Sequence, residues 1–415
     1  MIQSCDTKTG AMRIVPVLFF VLFVVGLIAA ALFSAPVSAA PPDEKLPELS
    51  KPQLHREKTK LEMAVDQAAA MLLQGKLPPT EDGVRFALWL YGDKGDVAYL
   101  DIATKMAREL VGHGIPEGKV IRDGSPEGKA VLYWVAQAGG PTLEEARQLM
   151  IMNEPRLTTA PFGTALNLAK IIAGDSSNLD LDYYRDPLSE GQPEINGFHD
   201  HFPTSKPLIV ECVWLREHAE LVQFSGFSSI TKAMGIVAYN ILDRFLDPKT
   251  HTFVEIGPSG NTPVFRRDQN ATAALAVWET GVIAGDLRLR EAGQKALESD
   301  LQPALQDLKA AATAGLAAGR MSRHHVQLAI IGDPADSTVT KLRQAAYFLF
   351  EPNKVILNLD PKADSTRMAD LMYSPDAAPA MFVCVETVCS PPIKDPAELE
   401  KQVAEIKKLA AQVEQ

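Results

Sequence analysis

A helical pattern of apolar residues runs through most of the chain. Leu61, Val65, Ala68 and Leu72 recur at intervals of three and four residues, which is the spacing of one face of an amphipathic helix. Similar patterns predict further helices at 83–91, 98–112, 130–138, 143–153, 163–172, 209–223, 229–245, 270–284 and 287–318, the last of them broken near Pro303. The chain up to about residue 316 is therefore predicted to be mainly α-helical.

Gly-Asp pairs separate several of these predicted helices. They occur at 92–93, 95–96, 174–175 and 285–286, each after an apolar helix and before the next one. Glycine readily adopts the left-handed conformation that ends a helix, so each pair predicts the turn of a helical hairpin. Short β-prone segments at 118–122 and 251–256 interrupt the helices.

A series of helical hairpins needs a partner for every apolar face. Closing the hairpins into an α/α toroid provides one, because an open array leaves two end faces exposed. We therefore predict a mainly α fold with an α/α toroid over residues 56–320. An open bundle of helices would produce much the same sequence pattern and stays the alternative.

The pattern changes after about residue 321. Apolar runs at 326–331, 354–359 and 381–385 alternate with helical stretches at 338–350 and 365–372. Strands that are apolar throughout are typical of a parallel sheet covered by helices. Residues 321–415 are therefore predicted to form a small α/β unit, which ends in an amphipathic helix at 395–415.

The N-terminus has a different composition. Residues 14–33 contain no charged side chain and follow Lys8 and Arg13. A helix of that length would just span a bilayer core of about 30 Å. The segment predicts either a signal peptide or an uncleaved membrane anchor.

Small residues follow this apolar segment. Val37 and Ala39 occupy the two positions that a signal peptidase reads, so cleavage after Ala39 is favoured. Residues 1–39 are therefore predicted to direct export, and residues 40–55, rich in Pro, Glu and Lys, to form a tether. We expect the folded part to work in the periplasm, or on the outer side of the membrane if the segment is retained.

Charge and motifs restrict the classes of partner. The 415-residue chain has a formal net charge of −11 at pH 7, which argues against nucleic acid and anionic lipid as partners. It contains no P-loop, no dinucleotide-binding glycine motif after a strand and no H-E-x-x-H motif, so no cofactor is expected. Cys384 and Cys389 are near enough to form a structural disulfide in an oxidising compartment.

Three segments of the chain resemble one protein family. They read FRRDQNATAALAVWETGVIAGDLRLREAGQKALES at 265–299, LAIIGDPADSTVTKLRQAAYFLFEPNKVILN at 328–358 and AMFVCVETVCSPPIKDPAELEKQV at 380–403. In this order they are similar to the C-terminal part of the thioredoxin-domain proteins of the spermatogenesis-associated protein 20 group and their bacterial relatives. The resemblance implies a helical toroid like that of the six-hairpin glycosidases. The thioredoxin-like domain of that family has no counterpart here, so the resemblance implies a fold more than a reaction.

A segment with two imidazoles and a carboxylate is the first candidate site. His199, Asp200 and His201 are consecutive, and in an extended segment the two histidines would share a face. A third ligand from elsewhere would complete a metal site, but no known ligand spacing supports one. A sugar-binding rim, with Trp214 as a stacking face, fits this composition better, and no metal is predicted.

Arg267, Asp268 and Asn270 form the second candidate, before and within the helix that carries Trp278. In an α/α toroid, junctions between a hairpin and a helix line the central funnel. Asp268 is therefore predicted as a general acid or base, with Asp200 as its partner, and the other residues as substrate-binding groups. Alternatively, Asp268 or Asn270 caps the helix and Arg267 only pairs with the aspartate.

Two functions are compatible with these patterns. One is a carbohydrate-active envelope enzyme, such as a hydrolase, lyase or epimerase, on the toroid. The other is a noncatalytic envelope module that binds a glycan or another protein. An enzyme requires Asp200 or Asp268 to meet a second carboxylate in one deep pocket, whereas a binding module does not.

Overall fold

A computed structural model describes residues 58–112, 126–142, 145, 207–225, 228–256 and 263–413. These residues belong to one compact unit that starts at Glu57. The described part is mainly helical, with twelve α-helices and a small mixed sheet, which confirms the mainly α class with a C-terminal α/β part. Apart from Glu145, the helices predicted at 143–153 and 163–172 and the β-prone segment 118–122 lie outside the described residues.

Nine of the described helices form a helical body. They are α1 Lys60–Leu73, α2 Glu81–Lys94, α3 Val97–Gly112, α4 Pro126–Gln137, α5 Leu208–Ser225, α6 Ser228–Phe245, α7 Arg267–Ala284, α8 Leu287–Gln306 and α9 Ala311–Ser322. Neighbours in this series pack as pairs, α2 with α3, α5 with α6 and α7 with α8. The last helix, α9, packs against α1 and α2, so the two ends of the series are in contact. A short hairpin, β1 Glu255–Ile256 and β2 Pro263–Val264, precedes α7.

Local signals determine where several helices begin and end. At the start of α1, the Thr59 hydroxyl accepts a bond from Glu62 N at 3.2 Å and the Glu62 carboxylate accepts one from Thr59 N at 2.7 Å. Gly95, with φ 68°, ends α2, and Gly285, with φ 74°, ends α7, as the Gly-Asp pairs predict. The pair at 92–93 does not end a helix, because it lies inside α2.

Two predicted helix ends are therefore corrected. Gly92 allows close packing, since a Cβ at this position would lie only 2.4 Å from Cγ of Pro352. Pro352 lies in the loop before the second strand of the C-terminal sheet. The long helix predicted to break near Pro303 continues through it to Gln306. It stops where the Asp307 carboxylate accepts a hydrogen bond from Lys309 N at 3.0 Å, a local turn that competes with the helix.

Four strands form the C-terminal sheet. They are β3 Val326–Ile331, β4 Lys354–Leu359, β5 Ala380–Val385 and β6 Val388–Cys389, in the order β4-β3-β5-β6. Helix α10, Ser337–Phe348, connects β3 to the parallel strand β4, as predicted. Strand β5 instead runs antiparallel to β3, which corrects the parallel sheet that the sequence predicted.

The connection before β5 contains only a short helix. Helix α11, Ser365–Asp370, has six residues and is therefore about 9 Å long. A strand of six residues such as β4 is about 20 Å long, so α11 alone is too short to carry the chain back to the end of the sheet where β4 begins. The chain re-enters the sheet at the end where β3 stops, and Ile331 there pairs with Ala380.

The sheet lies between two layers of helices. Ala329 of β3 joins the core of the helical body, whereas its neighbours Leu328 and Ile330 pack on the opposite face with α10 and with α12, Leu399–Val413. Side chains of β4 also join the core of the helical body. This burial on both faces is the reason that the strands are mainly apolar.

The β5–β6 hairpin is closed by a disulfide. Cys384 and Cys389 occupy paired positions of the two strands and are bonded to each other, as their spacing predicts. Cys212 of α5 is a free, buried cysteine, and burial raises the pKa of its thiol. A thiolate nucleophile at Cys212 is therefore disfavoured.

The prediction of a transmembrane segment is corrected. In the part of the chain that the structure describes, no helix is both long and apolar enough to cross a bilayer. Residues 14–33, on which that prediction was based, lie outside the described residues, as do residues 1–39 as a whole and the predicted tether at 40–55.

Candidate functional site

Asp268, the predicted acid or base, lies in the first turn of α7. Its Oδ2 atom is 3.1 Å from a guanidinium nitrogen of Arg266, and its side chain is partly exposed. Arg266 is the N-cap residue and makes no side-chain cap, so neither Asp268 nor Asn270 caps the helix. Arg267 pairs with Asp300, its Nε 3.5 Å from Oδ1, rather than with Asp268. The alternative that these residues serve as a cap is therefore corrected as well.

Asn270 has a structural position. It is only 1% exposed, and its Oδ1 accepts a bond from Phe253 N at 2.8 Å while its Nδ2 donates to the carbonyl of Ala296 at 3.3 Å. Both ends of the amide are thus used to join the segment before α7 to α8. A substrate-binding role for Asn270 is not compatible with this burial.

The other predicted site residues are not brought together either. Trp278 is buried in the core, with its ring edge-on to His325 at 5.4 Å between centroids. Trp214 is half-buried and stacks on His218 at 3.7 Å. His199, Asp200 and His201 lie outside the described residues, so their partnership with Asp268 stays a prediction.

A cleft between the helical body and the α/β unit is lined by other residues. One wall comes from α2, α4, α5 and α9, and the other from residues 347–356, between the end of α10 and β4. The cleft encloses about 150 Å³. Sites for drug-sized ligands enclose roughly 300 to 1,000 Å³, so this cleft admits one small group, such as a single sugar ring.

An arginine fixed on an aromatic ring forms the helical wall of the cleft. The Cζ atom of Arg85 lies 3.9 Å from the centre of a ring of Trp134. The same guanidinium pairs with Glu81 at 3.0 Å, within α2, and with Glu220 of α5 at 3.4 Å. These contacts fix the position of Arg85 next to Trp134 and Glu220.

Further ion pairs lie behind this wall. A guanidinium nitrogen of Arg216 is 2.5 Å from the Asp82 carboxylate, and the Thr313 hydroxyl donates to the same carboxylate at 2.6 Å. Burial acts to raise the pKa of Asp82, but the charge and hydrogen bonds of Arg216 outweigh it and the pKa is lowered. Arg320, which lines the cleft, pairs in turn with the buried Glu279.

The opposite wall is built around a lysine. The Nζ atom of Lys354 donates to the carbonyl oxygens of Tyr347 and Leu349, each at 2.5 Å, at the end of α10. Nε2 of Gln137 donates to the Tyr347 carbonyl at 2.7 Å. Burial lowers the pKa of Lys354 to about 7, although the charges of Glu220 and Glu351 act against this.

One buried hydrogen bond anchors this wall to the helical body. The Trp89 indole Nε1 donates to Oδ1 of Asn353 at 2.8 Å. Glu351, in the same loop, accepts from Nζ of Lys407 in α12 at 2.7 Å. The loop before β4 is thus fixed on both sides.

Two half-buried histidines, His218 in the helical body and His325 at the start of the α/β unit, are expected to make the protein sensitive to acid. Burial lowers the pKa of His218 and of His325 to about 4, whereas a histidine in an unfolded chain has a pKa of about 6.5. Between these two values the unfolded chain binds protons that the folded chain does not. We therefore expect the free energy of unfolding to fall as the pH falls from about 6.5 to about 4.

Urea unfolding at a series of pH values measures this effect. A variant with His218→Gln and His325→Gln should lose less stability over the same range than the wild type, because carboxylates contribute equally to both. Parallel curves for the two proteins would contradict the assignment to these histidines.

Sequence reasoning missed the cleft because its residues come from four helices of the helical body and from the segment 347–356, and they form no local motif. The one available signal was residues 350–354, FEPNK, which lie within a segment of family resemblance. That resemblance itself stays a prediction. Comparison with protein-family models and with curated proteins found no match for this chain.

Proposed function

We propose that this protein is an exported, noncatalytic module that binds a glycan in the cleft between its helical body and its α/β unit. The observation that carries the proposal is the arrangement of Trp134, Arg85 and Gln137 around a space of about 150 Å³. An aromatic ring beside a few fixed polar groups orients a small ligand such as a sugar ring. The size of the cleft favours recognition of one sugar unit rather than of a long chain.

The carboxylates of the cleft favour binding over catalysis. Glycoside hydrolysis needs two carboxyl groups about 5 to 9.5 Å apart, one of which donates a proton. Glu220 is paired with Arg85, and Glu351 is paired with Lys407. Asp268 is paired with Arg266 and is not among the residues that line the cleft. The described residues therefore offer no free carboxyl group there for the proton-donor role.

The helical packing supports the toroid as part of the proposal. The pairs α2–α3, α5–α6 and α7–α8, together with the contact of α9 with α1, are what a closed ring of helical hairpins requires. Kinship with the thioredoxin-domain proteins of the spermatogenesis-associated protein 20 group would account for this arrangement. An experimental structure of the whole chain tests it.

The disulfide supports export. A bond between Cys384 and Cys389 persists in an oxidising compartment and is rare in the cytosol. A glycan of the cell envelope is therefore the proposed ligand. Alkaline phosphatase fused after residue 60 tests the export signal, because this enzyme is active only outside the cytoplasm; an inactive fusion would argue against export.

Titration calorimetry with neutral, amino-sugar and acidic oligosaccharides tests glycan binding. We expect one class to bind and Trp134→Ala to weaken its affinity about tenfold, or by about 1.4 kcal/mol, because the aromatic wall of the cleft and the ring that holds Arg85 are lost. Trp214→Ala is the matched control, since Trp214 stacks on His218 and is not among the residues that line the cleft, and it should leave the affinity unchanged.

Two results would contradict the proposal. If no saccharide binds the folded wild type, the cleft is not a glycan site. If new reducing ends accumulate during the titration, the catalytic alternative is correct.

A further inference from the structure

Lys354 is one of the residues that line the cleft. It is the first residue of β4, it is partly exposed, and it lines the cleft together with Gln137 and Glu220. Its Nζ atom is held 2.5 Å from each of two carbonyl oxygens, those of Tyr347 and Leu349. The amino group is therefore fixed in position rather than free in solvent.

These two hydrogen bonds leave one further position on the nitrogen, and this position differs between the charged and the neutral form. An ammonium group has three hydrogens, whereas a neutral amine has two hydrogens and a lone pair. The two carbonyl oxygens engage two hydrogens in either form. In the neutral form, the lone pair is therefore directed away from both carbonyls.

The charged groups around Lys354 are engaged with one another. From the helical body, Glu220 pairs with Arg85. From the α/β unit, Glu351 pairs with Lys407. Among the described residues, no carboxylate lies within 4.0 Å of Lys354 Nζ. Burial without a close counter-ion favours the neutral amine, in agreement with a pKa of about 7.

Three other features of the surroundings affect the charge of Lys354. One is the Tyr347 ring, whose centroid lies 5.5 Å from Nζ and which favours the charged form. Arg320 of the helical body lines the same cleft and adds a positive charge, although it is paired with Glu279. The carbonyls at the end of α10 stabilise a cation, as at any helix C-terminus. The competing explanation is therefore a lysine that only caps α10.

We propose that Lys354 is a reactive amine that captures small aldehydes in the cleft. Its lone pair attacks the carbonyl carbon of the aldehyde, and the π electron pair moves to the oxygen. Transfer of a proton from nitrogen to oxygen gives a carbinolamine, which loses water to form an imine. One amine and one aldehyde thus give one imine and one water, and no oxidant or reductant is needed. This inference does not depend on glycan binding.

Reductive labelling of the full chain tests the proposal. Glycolaldehyde, a two-carbon aldehyde small enough for the cleft, is added at pH 7 with cyanoborohydride, which reduces an imine to a stable amine, and labelled lysines are located by peptide mass spectrometry. Lys362, on the surface with its side chain 82% exposed, serves as the internal reference. With a pKa of about 7 roughly half of an amine is neutral at pH 7, compared with about 0.04% at the usual lysine pKa of 10.4. We therefore expect Lys354 to be labelled at least about tenfold faster than Lys362, even though low-pKa amines are weaker nucleophiles.

The pH profile and an unfolded control separate reactivity from mere exposure. The labelling rate of Lys354 should rise with a midpoint near pH 7, and its advantage over Lys362 should disappear in denaturing urea. If Lys354 is labelled no faster than Lys362 in the folded protein, or if its rate has no midpoint near pH 7, it serves only as a cap for α10 and the proposal is wrong. Because the test uses no saccharide, its failure is distinct from a failure of glycan binding.

Discussion

Replacing Asp82 with alanine is expected to lower the free energy of unfolding by about 3 to 5 kcal/mol. The Asp82 carboxylate accepts bonds from Arg216 at 2.5 Å and from the Thr313 hydroxyl at 2.6 Å, and the side chains of Asp82 and Arg216 are 11% and 12% exposed. Without the carboxylate, the guanidinium stays buried with no partner in this pair. Urea unfolding followed by circular dichroism measures the loss.

A surface pair provides the matched control. Glu145 lies 2.6 Å from Arg108, but both side chains are more than 40% exposed, so Glu145→Ala should cost only about 0 to 1 kcal/mol. A second variant, Asp82→Leu with Arg216→Met, removes both charges and should recover much of the stability lost in Asp82→Ala. A loss for Asp82→Ala no larger than that for Glu145→Ala would contradict the role of the buried pair.

Trp89→Ala is also expected to lower the free energy of unfolding by about 3 to 5 kcal/mol, because it removes a large buried side chain. The indole packs against α9, where a Cβ at Gly319 would lie only 2.9 Å from its ring. Its Nε1 also holds Asn353, and with it the loop that forms one wall of the cleft. The variant should therefore both unfold at lower urea concentration and lose ligand binding.

Trp89→Phe separates the two contributions of this side chain. It keeps an aromatic ring in the core but removes the N–H group, which leaves Oδ1 of Asn353 without its donor. The expected cost is about 1 to 3 kcal/mol. Equal losses for Trp89→Phe and Trp89→Ala would show that the hydrogen bond, and not the packing, dominates.

The helices and strands could be predicted because each of them depends on a local pattern of apolar residues. Val326–Ile331 and Lys354–Leu359 are mainly apolar, and the structure has strands at these residues. The direction of β5 was missed because it depends on the path that the chain takes through α11, and a hydrophobic pattern does not report that path.

The candidate site could not be predicted in the same way. Asn270 is a polar residue in a polar segment, and only the structure places its amide between Phe253 and Ala296, inside the core. Arg85 and Lys354 lie far apart in the sequence, each within an ordinary helix or strand pattern. Only tertiary packing brings them to one cleft.

The shared core of the sheet and the helical body restricts how this chain can change in evolution. Ala329, Val355 and Leu357 of the α/β unit belong to the same hydrophobic cluster as the inner helices. A gene fragment that ends at residue 320 would encode helices with an uncovered apolar surface, and one that begins at 321 would encode a sheet with one face bare. Recombination at this point would produce two aggregation-prone products, so the helices and the sheet are expected to be inherited together.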